Sequence, residues 1–335
     1  MSQGQITMVI GYPASGKSTY ALREFPHHHR VNRDTIGGKI EGLVPYIEKK
    51  ITEGHTQFVL DNTHANVASR AMFIKLAKKH GFLVKCHWMK TSAEDAQFNA
   101  ALRMVRKYGR ILDTAEIKKV QKEGDPNTFP INVIFSFRNS FEPPTLNEGF
   151  DELVEVPYVR ELPAEYCNKA LILDYDGTLR DTISGNNYPL TPDDIKILPN
   201  RREVLARYKE QGYVLLGVSN QSGIHKGIMT SEQSRACFEK TNEMLGHSID
   251  FRFCPHASGP ISCFCRKPVS GHGCEFIEKY KLDPSKCIFV GDLGTDKSFA
   301  YRCGFQYFDC NDFFKLSRAE NKESDPPSLC DVGRR

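Results

Sequence analysis

Short apolar runs alternate along this chain with longer segments whose apolar positions recur every three or four residues. The runs predict strands at 6–11, 58–62 and 83–89, and the periodic segments predict helices from Lys17, across 36–53, 67–80 and 93–108. The pattern starts again downstream, with strands at 170–175, 213–219 and 286–291 and helices at 201–211, 231–245 and 296–303. Strand and helix alternating in this way, twice over, predict two parallel-sheet α/β domains. Between them "NSFEPPTLNEGFDELVEVPYVRELPAEYC" is rich in proline and acidic residues, and reads as a covering loop, an edge strand and a linker. The boundary is expected near 160–166, giving domains at 1–162 and 163–316. Residues 317–335 are polar with a proline pair and read as a disordered tail.

Composition excludes more than it identifies. A chain of 335 residues is long enough for two cores, and its net charge of +4 creates no global field for nucleic acid. Any such surface must be local. No apolar run approaches the roughly eighteen residues of a spanning helix, and "MSQGQITMVIGYP" lacks the basic start and apolar core of a signal peptide. The expectation is a soluble protein of the cytoplasm or nucleus with no membrane partner. An odd count of 11 cysteines agrees, because a secreted disulfide framework favours even pairing. His27 to His29 read as loop surface.

"GYPASGKS" follows a predicted strand and opens a predicted helix, the context in which G-x-x-x-x-G-K-S holds nucleotide phosphates. The glycines turn backbone N–H groups toward the phosphates, and the helix N-terminus adds positive potential. Gly11, Ser15, Gly16, Lys17, Ser18 and Thr19 are the expected nucleotide-binding positions, with Lys17 on the outer phosphates and Ser18 on magnesium. This loop also serves switches and motors, so it does not by itself define a reaction. "VNRDT" places Asp34 near a strand end, where a carboxylate can accept a proton from an attacking hydroxyl. "FVLDNTH" places Asp61 at the end of another strand.

"GYPASGKST", "VNRDT", "DNTHANVASRAMF" and "FEPPTLNEGF" occur in the order found in the kinase module of polynucleotide kinase-phosphatases, which this half resembles over most of 6–160. The resemblance implies transfer of the ATP γ-phosphate to a polynucleotide 5′-hydroxyl, with Asp34 as base and Asp61 with Asn62 shaping the acceptor or nucleotide site. It also implies a phosphate-clamping arginine among Arg103, Arg106 and Arg110 of "FNAALRMVRKYGR", with Arg103 and Arg106 favoured. Two features depart from it. Gly37 stands where phage enzymes of this kind place an arginine, and 107–127 reads as an inserted lysine-rich lid.

In the second half, "LILDYDGTL" delivers Asp174 and Asp176 from a strand end, with Gly177 turning the chain. Asp174 can attack phosphorus, and Asp176 can protonate the leaving oxygen and later activate water. "VLLGVSNQSG" puts Ser219 and Asn220 at a strand end as phosphate donors, "CRKP" supplies Lys267, and "IFVGDLGTD" supplies Asp292 and Asp296 for magnesium. The pattern resembles the haloacid-dehalogenase superfamily over roughly 168–310. That resemblance makes Asp174 the nucleophile, Asp176 the acid and base, and Lys267 the charge clamp, with magnesium among Asp174, Asp176, Asp292 and Asp296. The expected fold is a P-loop kinase followed by a haloacid-dehalogenase-like Rossmannoid domain. The spacing from Ser219 to Lys267 leaves room for only a minimal cap.

"CPHASGPISCFCRKP" holds Cys254, His256, Cys263 and Cys265 within one short loop, a set suited to tetrahedral structural zinc. With "SNQSGIHKG" it makes the domain similar to the zinc-bearing histidinol-phosphate and heptose-bisphosphate phosphatases; animal and phage 3′-phosphatases do not, as a rule, carry this loop. The leading expectation is an enzyme that heals nucleic-acid ends, phosphorylating 5′-hydroxyls from ATP and removing 3′-phosphates, after which a ligase could seal the break. Two rivals stay open: a small-molecule kinase fused to a sugar-phosphate phosphatase, and a non-catalytic nucleotide-sensing adaptor.

Overall fold

In a computed structural model the described residues are 3–315, so the expected tail at 317–335 lies outside them. The chain divides into two compact units, one running to Pro163 and taking in the short stretch Ser262–Phe264, the other made of Ala164–Ile261 and the chain from Cys265 onward. Among the described residues no helix is long and apolar enough to cross a membrane.

The first unit begins with β1 (Gln5–Ile10), α1 (Lys17–Glu24), β2 (His29–Val31) and α2 (Arg33–Ile36). It continues with α3 (Leu43–Thr52), β3 (Gln57–Asp61), α4 (Val67–Lys79), β4 (Leu83–Met89) and α5 (Ala93–Tyr108). Then come α6 (Thr114–Lys122), α7 (Asn132–Ser140) and β5 (Glu152–Val156). The five strands form one sheet of order β2-β3-β1-β4-β5, parallel throughout. Ile6, Met8, Ile10, Phe58, Leu60 and Val84 are sealed in its core with Leu43, Ile47 and Phe73 from the helices. Burial on both faces is why β1 reads as a continuous apolar run. Register places Val9 beside Asp61 and Leu60 beside Val31, so the chain segments that leave β1, β2 and β3 emerge on one edge.

Two expectations fail here. The helix foreseen across 36–53 is broken, because Gly37 and Gly38 take φ of 86° and 79°, outside the right-handed helical region. The chain therefore ends α2 and begins again at α3. His29 is not loop surface: it opens β2, and its ring packs 4.6 Å from that of His55. The inserted lid is ordered. Asp113 caps α6 and Glu116 returns the capping box, a signal present in "DTAE".

The second unit contains β6 (Ala170–Leu173), β7 (Arg180–Thr182), β8 (Ile195–Ile197), α8 (Arg201–Glu210) and β9 (Val214–Asn220). Next are α9 (Ser222–His225), α10 (Ser231–Leu245), β10 (Asp250–Cys254) and α11 (Gly271–Tyr280). It closes with β11 (Ile288–Gly291), α12 (Gly294–Cys303), β12 (Gln306–Asp309) and α13 (Cys310–Phe313). The main sheet has the order β10-β9-β6-β11-β12, again all parallel, while β7 and β8 form a separate antiparallel flap. Central β6 is buried along its whole length, with Leu171 and Leu173 packed among Tyr175, Leu205, Phe238 and Val290. No large cap interrupts the sheet. The edge strands β10 and β12 escaped the reading because they are short, mostly half-buried and carry no continuous apolar run.

Candidate active sites

The loop after β1 is shaped by sterics before chemistry. At Gly11 a Cβ would lie 2.9 Å from Ser15 Oγ and 3.0 Å from Met89 Cβ, and Gly16 enters α1 with a left-handed φ of 89°. Lys17 is buried, and its ammonium donates to the carbonyls of Gly11 at 3.1 Å and Tyr12 at 2.6 Å. Burial pulls its pKa down to about 8, against the attraction of Asp61. A polyphosphate beside it would raise the pKa again and hold the ammonium form. Ser18 and Thr19 are exposed on the first turn of α1, and both line a cleft of about 1370 Å³ with Ser15, Gly16 and Lys17.

The two aspartates opposite this loop differ in accessibility. Asn32 caps α2 through the N–H groups of Asp34 and Thr35, which leaves the Asp34 carboxylate free of capping duty. Its side chain is 42% exposed and lines the cleft, touching only Arg33 at 3.4 Å among the ion pairs. The Asp61 side chain is 1% exposed and is held by Arg30 and by the Asn32 amide at 3.1 Å. Asp34 can thus meet an acceptor hydroxyl, while Asp61 holds β2 to β3. Asn62 accepts from the Arg33 N–H at 2.9 Å and donates to the Val31 carbonyl at 3.1 Å, fixing the turn that presents Asp34.

The lid arginines separate. Arg103 and Arg106 line the cleft; Arg103 donates to the Asn127 carbonyl and sits over the Phe129 ring, and burial lowers its pKa. Arg110 is turned to Glu116 at 2.9 Å and does not line the cleft. Sequence reading missed α7, whose Val133, Ser136, Phe137 and Ser140 form a wall of the cleft at helical spacing. Phe137 packs 4.7 Å from Tyr12 of the phosphate loop, and Glu142 just beyond α7 donates its N–H to the Ala65 carbonyl. The spacing of "NVIFSF" was the available signal.

In the second unit the edge formed by the ends of β6, β9 and β11 gathers Asp174, Ser219, Asp292 and Lys267. Asp174 donates its N–H to the Val290 carbonyl and lies buried, with Lys267 Nζ 2.5 Å from its Oδ1. The same ammonium reaches Asp296 at 2.7 Å and the Val218 carbonyl at 2.9 Å. Burial opposes the Lys267 charge, but Asp174 and Asp296 outweigh it and raise the pKa above the ordinary lysine value. Burial pushes the Asp174 carboxyl up to about 7 against the pull of Lys267, and it raises Asp292 as well, helped by Asp296.

Asp174, Asp292 and Asp296 offer carboxylate oxygens within 4.8 Å of one another. One ammonium among three carboxylates leaves a negative excess, and Asp292 Oδ1 is buried without a hydrogen-bond partner. A divalent cation bound by oxygen ligands fits this donor set. Gly177 is required beneath it, because a Cβ there would lie 2.6 Å from Asp292 Oδ2. Asp176 was expected among the magnesium ligands, but its carboxylate lies outside this cluster. Arg180 holds its Oδ1 at 2.8 Å and the Gln221 amide holds its Oδ2 at 2.8 Å. Ser219 is buried and accepts from the same Gln221 amide at 3.0 Å. Asn220, expected to meet phosphate, is instead engaged at both ends of its amide by the backbone of Lys267, at 3.0 and 3.1 Å. It fixes the loop that carries the lysine. Arg180 and Gln221 were missed; Arg180 directly follows the stretch "LILDYDGTL", and Gln221 directly follows Asn220.

Beyond β10, Cys254, His256, Cys263 and Cys265 converge within 4.8 Å. His256 Nδ1 lies 3.4 Å from Cys254 Sγ and 3.2 Å from Cys265 Sγ, spacings close to those about a tetrahedral ion with zinc-to-ligand lengths of about 2.0–2.3 Å.

Fold and sites together define a P-loop kinase-like unit followed by a haloacid-dehalogenase-like phosphatase unit. Residues 169–314 match the family described as polynucleotide kinase 3 phosphatase, and residues 40–144 match one described as AAA domain. A D-glycero-beta-D-manno-heptose-1,7-bisphosphate 7-phosphatase of Haemophilus influenzae is 35% identical over 138 residues, covering 38% of this chain and 73% of that protein. A bifunctional polynucleotide phosphatase/kinase of Schizosaccharomyces pombe is 29% identical over 156 residues, 46% of this chain and 34% of that protein. A fungal RNA kinase structure shares 15% identity over 49% of this chain and 80% of that one, with a TM-score of 0.33. Through its second unit the chain belongs to the phosphatase family that these heptose-bisphosphate and polynucleotide phosphatases represent, fused here to a kinase-like domain.

Proposed function

We propose that this chain heals nucleic-acid ends, phosphorylating 5′-hydroxyl termini from ATP and hydrolysing 3′-phosphate termini. The observation that carries the reading is the coexistence in one chain of two side-chain sets suited to phosphoryl chemistry, Lys17 and Asp34 on one cleft and Asp174 with Lys267 in the second unit, in a relative of a bifunctional polynucleotide phosphatase/kinase. Adding and removing phosphate on the same atom would be futile. On opposite sides of a break the two operations prepare a substrate for a ligase.

At the first site Asp34 accepts the proton of the attacking hydroxyl as its oxygen bonds to the γ-phosphorus and the bond to ADP breaks. Lys17 and the Arg103 and Arg106 guanidiniums stabilise charge on the phosphoryl oxygens. Ser18 would hold magnesium there. At the second site Asp174 attacks the ester phosphorus and Asp176 protonates the leaving oxygen, giving an aspartyl phosphate. Asp176 then takes a proton from water as the water's oxygen attacks that phosphorus, returning Asp174 and releasing inorganic phosphate. Asp174, Asp292 and Asp296 would hold magnesium, which when bound supplies positive charge toward the phosphate. Lys267 shields Asp174 from the negative ester.

The heptose-bisphosphate relatives support a second reading, a small-molecule phosphatase in the second unit. One assay separates the two. Oligonucleotides of DNA and RNA bearing 5′-OH and 3′-phosphate are offered beside D-glycero-D-manno-heptose 1,7-bisphosphate. End healing expects label on the 5′ end and loss of the 3′-phosphate; refusal of every oligonucleotide with rapid hydrolysis of the heptose ester would overturn it.

The four-ligand loop is proposed to carry one structural zinc. Freshly purified protein is expected to hold about one zinc per chain, and Cys263→Ser to lower the thermal stability of the second unit while sparing transfer from ATP. Elemental analysis finding no zinc would refute this.

A further inference from the structure

We propose that Arg180 is the positioning residue for Asp176, tying the general acid and base to α10 and turning its Oδ2 toward the phosphate site. Arg180 is 1% exposed, although it is the first residue of the flap strand β7 and sits only four positions after Asp176. The intervening turn is tight: the Gly177 N–H donates to the Arg180 carbonyl and the Arg180 N–H to the Tyr175 carbonyl. The guanidinium thus folds back over its own turn. Its Nε donates to Asp176 Oδ1 at 2.8 Å, while Nη1 donates to the Cys237 carbonyl and to Thr241 Oγ1, both at 2.8 Å. The Phe238 ring lies beneath it at 4.7 Å.

A planar fork with acceptors on different edges has few orientations left, and a lysine could not reproduce it. With Oδ1 held by Arg180, the carboxylate is oriented so that Oδ2 turns to the Ser219 side. That oxygen is placed by the Gln221 amide, which also donates to Ser219 Oγ, so it lies on the side where the strand end meets phosphate. The Cys237 thiol faces the Pro189 carbonyl in the β7–β8 connection, so α10 anchors both the flap and, through Arg180, the acid. The role is one of geometry. Arg180 contacts Asp176 and not the reacting atoms.

The inference rests on the assignment of Asp174 as nucleophile and Asp176 as acid and base. In the first chemical step, formation of the aspartyl phosphate with release of the alcohol or phenol, a mispositioned acid slows only those esters whose leaving oxygen needs a proton, and this distinguishes positioning from mere structural support. The full-length chain and its Arg180→Lys and Arg180→Met variants are compared in the first turnover, measured by rapid quench with magnesium. One probe is p-nitrophenyl phosphate, whose phenolate leaves unprotonated. The other is an alkyl ester, a 3′-phosphorylated oligonucleotide or D-glycero-D-manno-heptose 1,7-bisphosphate, whichever the unaltered chain accepts. Positioning expects the alkyl first turnover to fall at least about 100-fold in Arg180→Lys and the aryl first turnover less than tenfold. Phospho-Asp174 should accumulate after the aryl burst, since the second step also uses Asp176. Equal losses with both esters, or no loss with either, would overturn the proposal, and Arg180→Lys decides the matter if Arg180→Met does not fold. An unaltered chain giving no first turnover with any ester would instead overturn the phosphatase reading on which the proposal stands.

Discussion

Asp174→Asn is expected to lower phosphate-ester hydrolysis by roughly four orders of magnitude or more. The amide keeps the shape of the carboxylate and can still accept from Lys267 Nζ, which lies 2.5 Å from Oδ1 in the unaltered chain. It cannot attack phosphorus, and it removes one negative charge from the cluster with Asp292 and Asp296. Transfer from ATP should persist, because the kinase-like cleft and the carboxylate cluster share no residue. The decisive measurement is acid-quenched trapping of labelled phospho-aspartate from a 3′-phosphorylated substrate, formed by the unaltered chain and absent from the variant. Hydrolysis within tenfold of the unaltered rate would remove Asp174 as nucleophile.

The second large effect is at Asp34. Asp34→Ala is expected to slow 5′ phosphorylation by about 10²–10⁴, the usual worth of a positioned general base, with ATP affinity near that of the unaltered chain. The side chain is exposed and makes no cap, so its loss should leave the fold intact. Lys17→Ala should fail differently, by losing stabilisation of the transferring phosphoryl group, with ATP binding weakened as well. Asp61→Ala is the informative contrast. It strands the Arg30 guanidinium, so activity and the thermal midpoint should fall together. Measuring kcat, KM for ATP and thermal midpoint for the three variants separates the roles, and full transfer activity in Asp34→Ala would refute the base assignment.

Much of this molecule was legible in one dimension because its main strands are covered on both faces. β1 and β6 read as apolar runs for that reason, and the residues just beyond them, Gly11 and Asp174, were located with them. The motifs are local too: a phosphate loop needs its glycines and lysine within a few residues, and a nucleophile and its acid need a strand end and a turn. The broken helix at Gly37 was the local error, a pair of glycines read as helix interior.

Sequence alone thus determined the two-domain α/β plan, the phosphate loop, the carboxylate pair and the four-ligand loop, since each is written in contiguous residues whose spacing the backbone enforces. Tertiary structure alone decided how alike residues divide their labour. Asp34 is open while Asp61 is sealed by Arg30, Arg103 lines the cleft while Arg110 turns to Glu116, and Asn220 holds the Lys267 backbone. Arg180 reaches Asp176, Cys237 and Thr241 at once. The physical reason is that a polar side chain's role follows from the partners it meets when buried, and those partners come from strands and helices far apart in the chain.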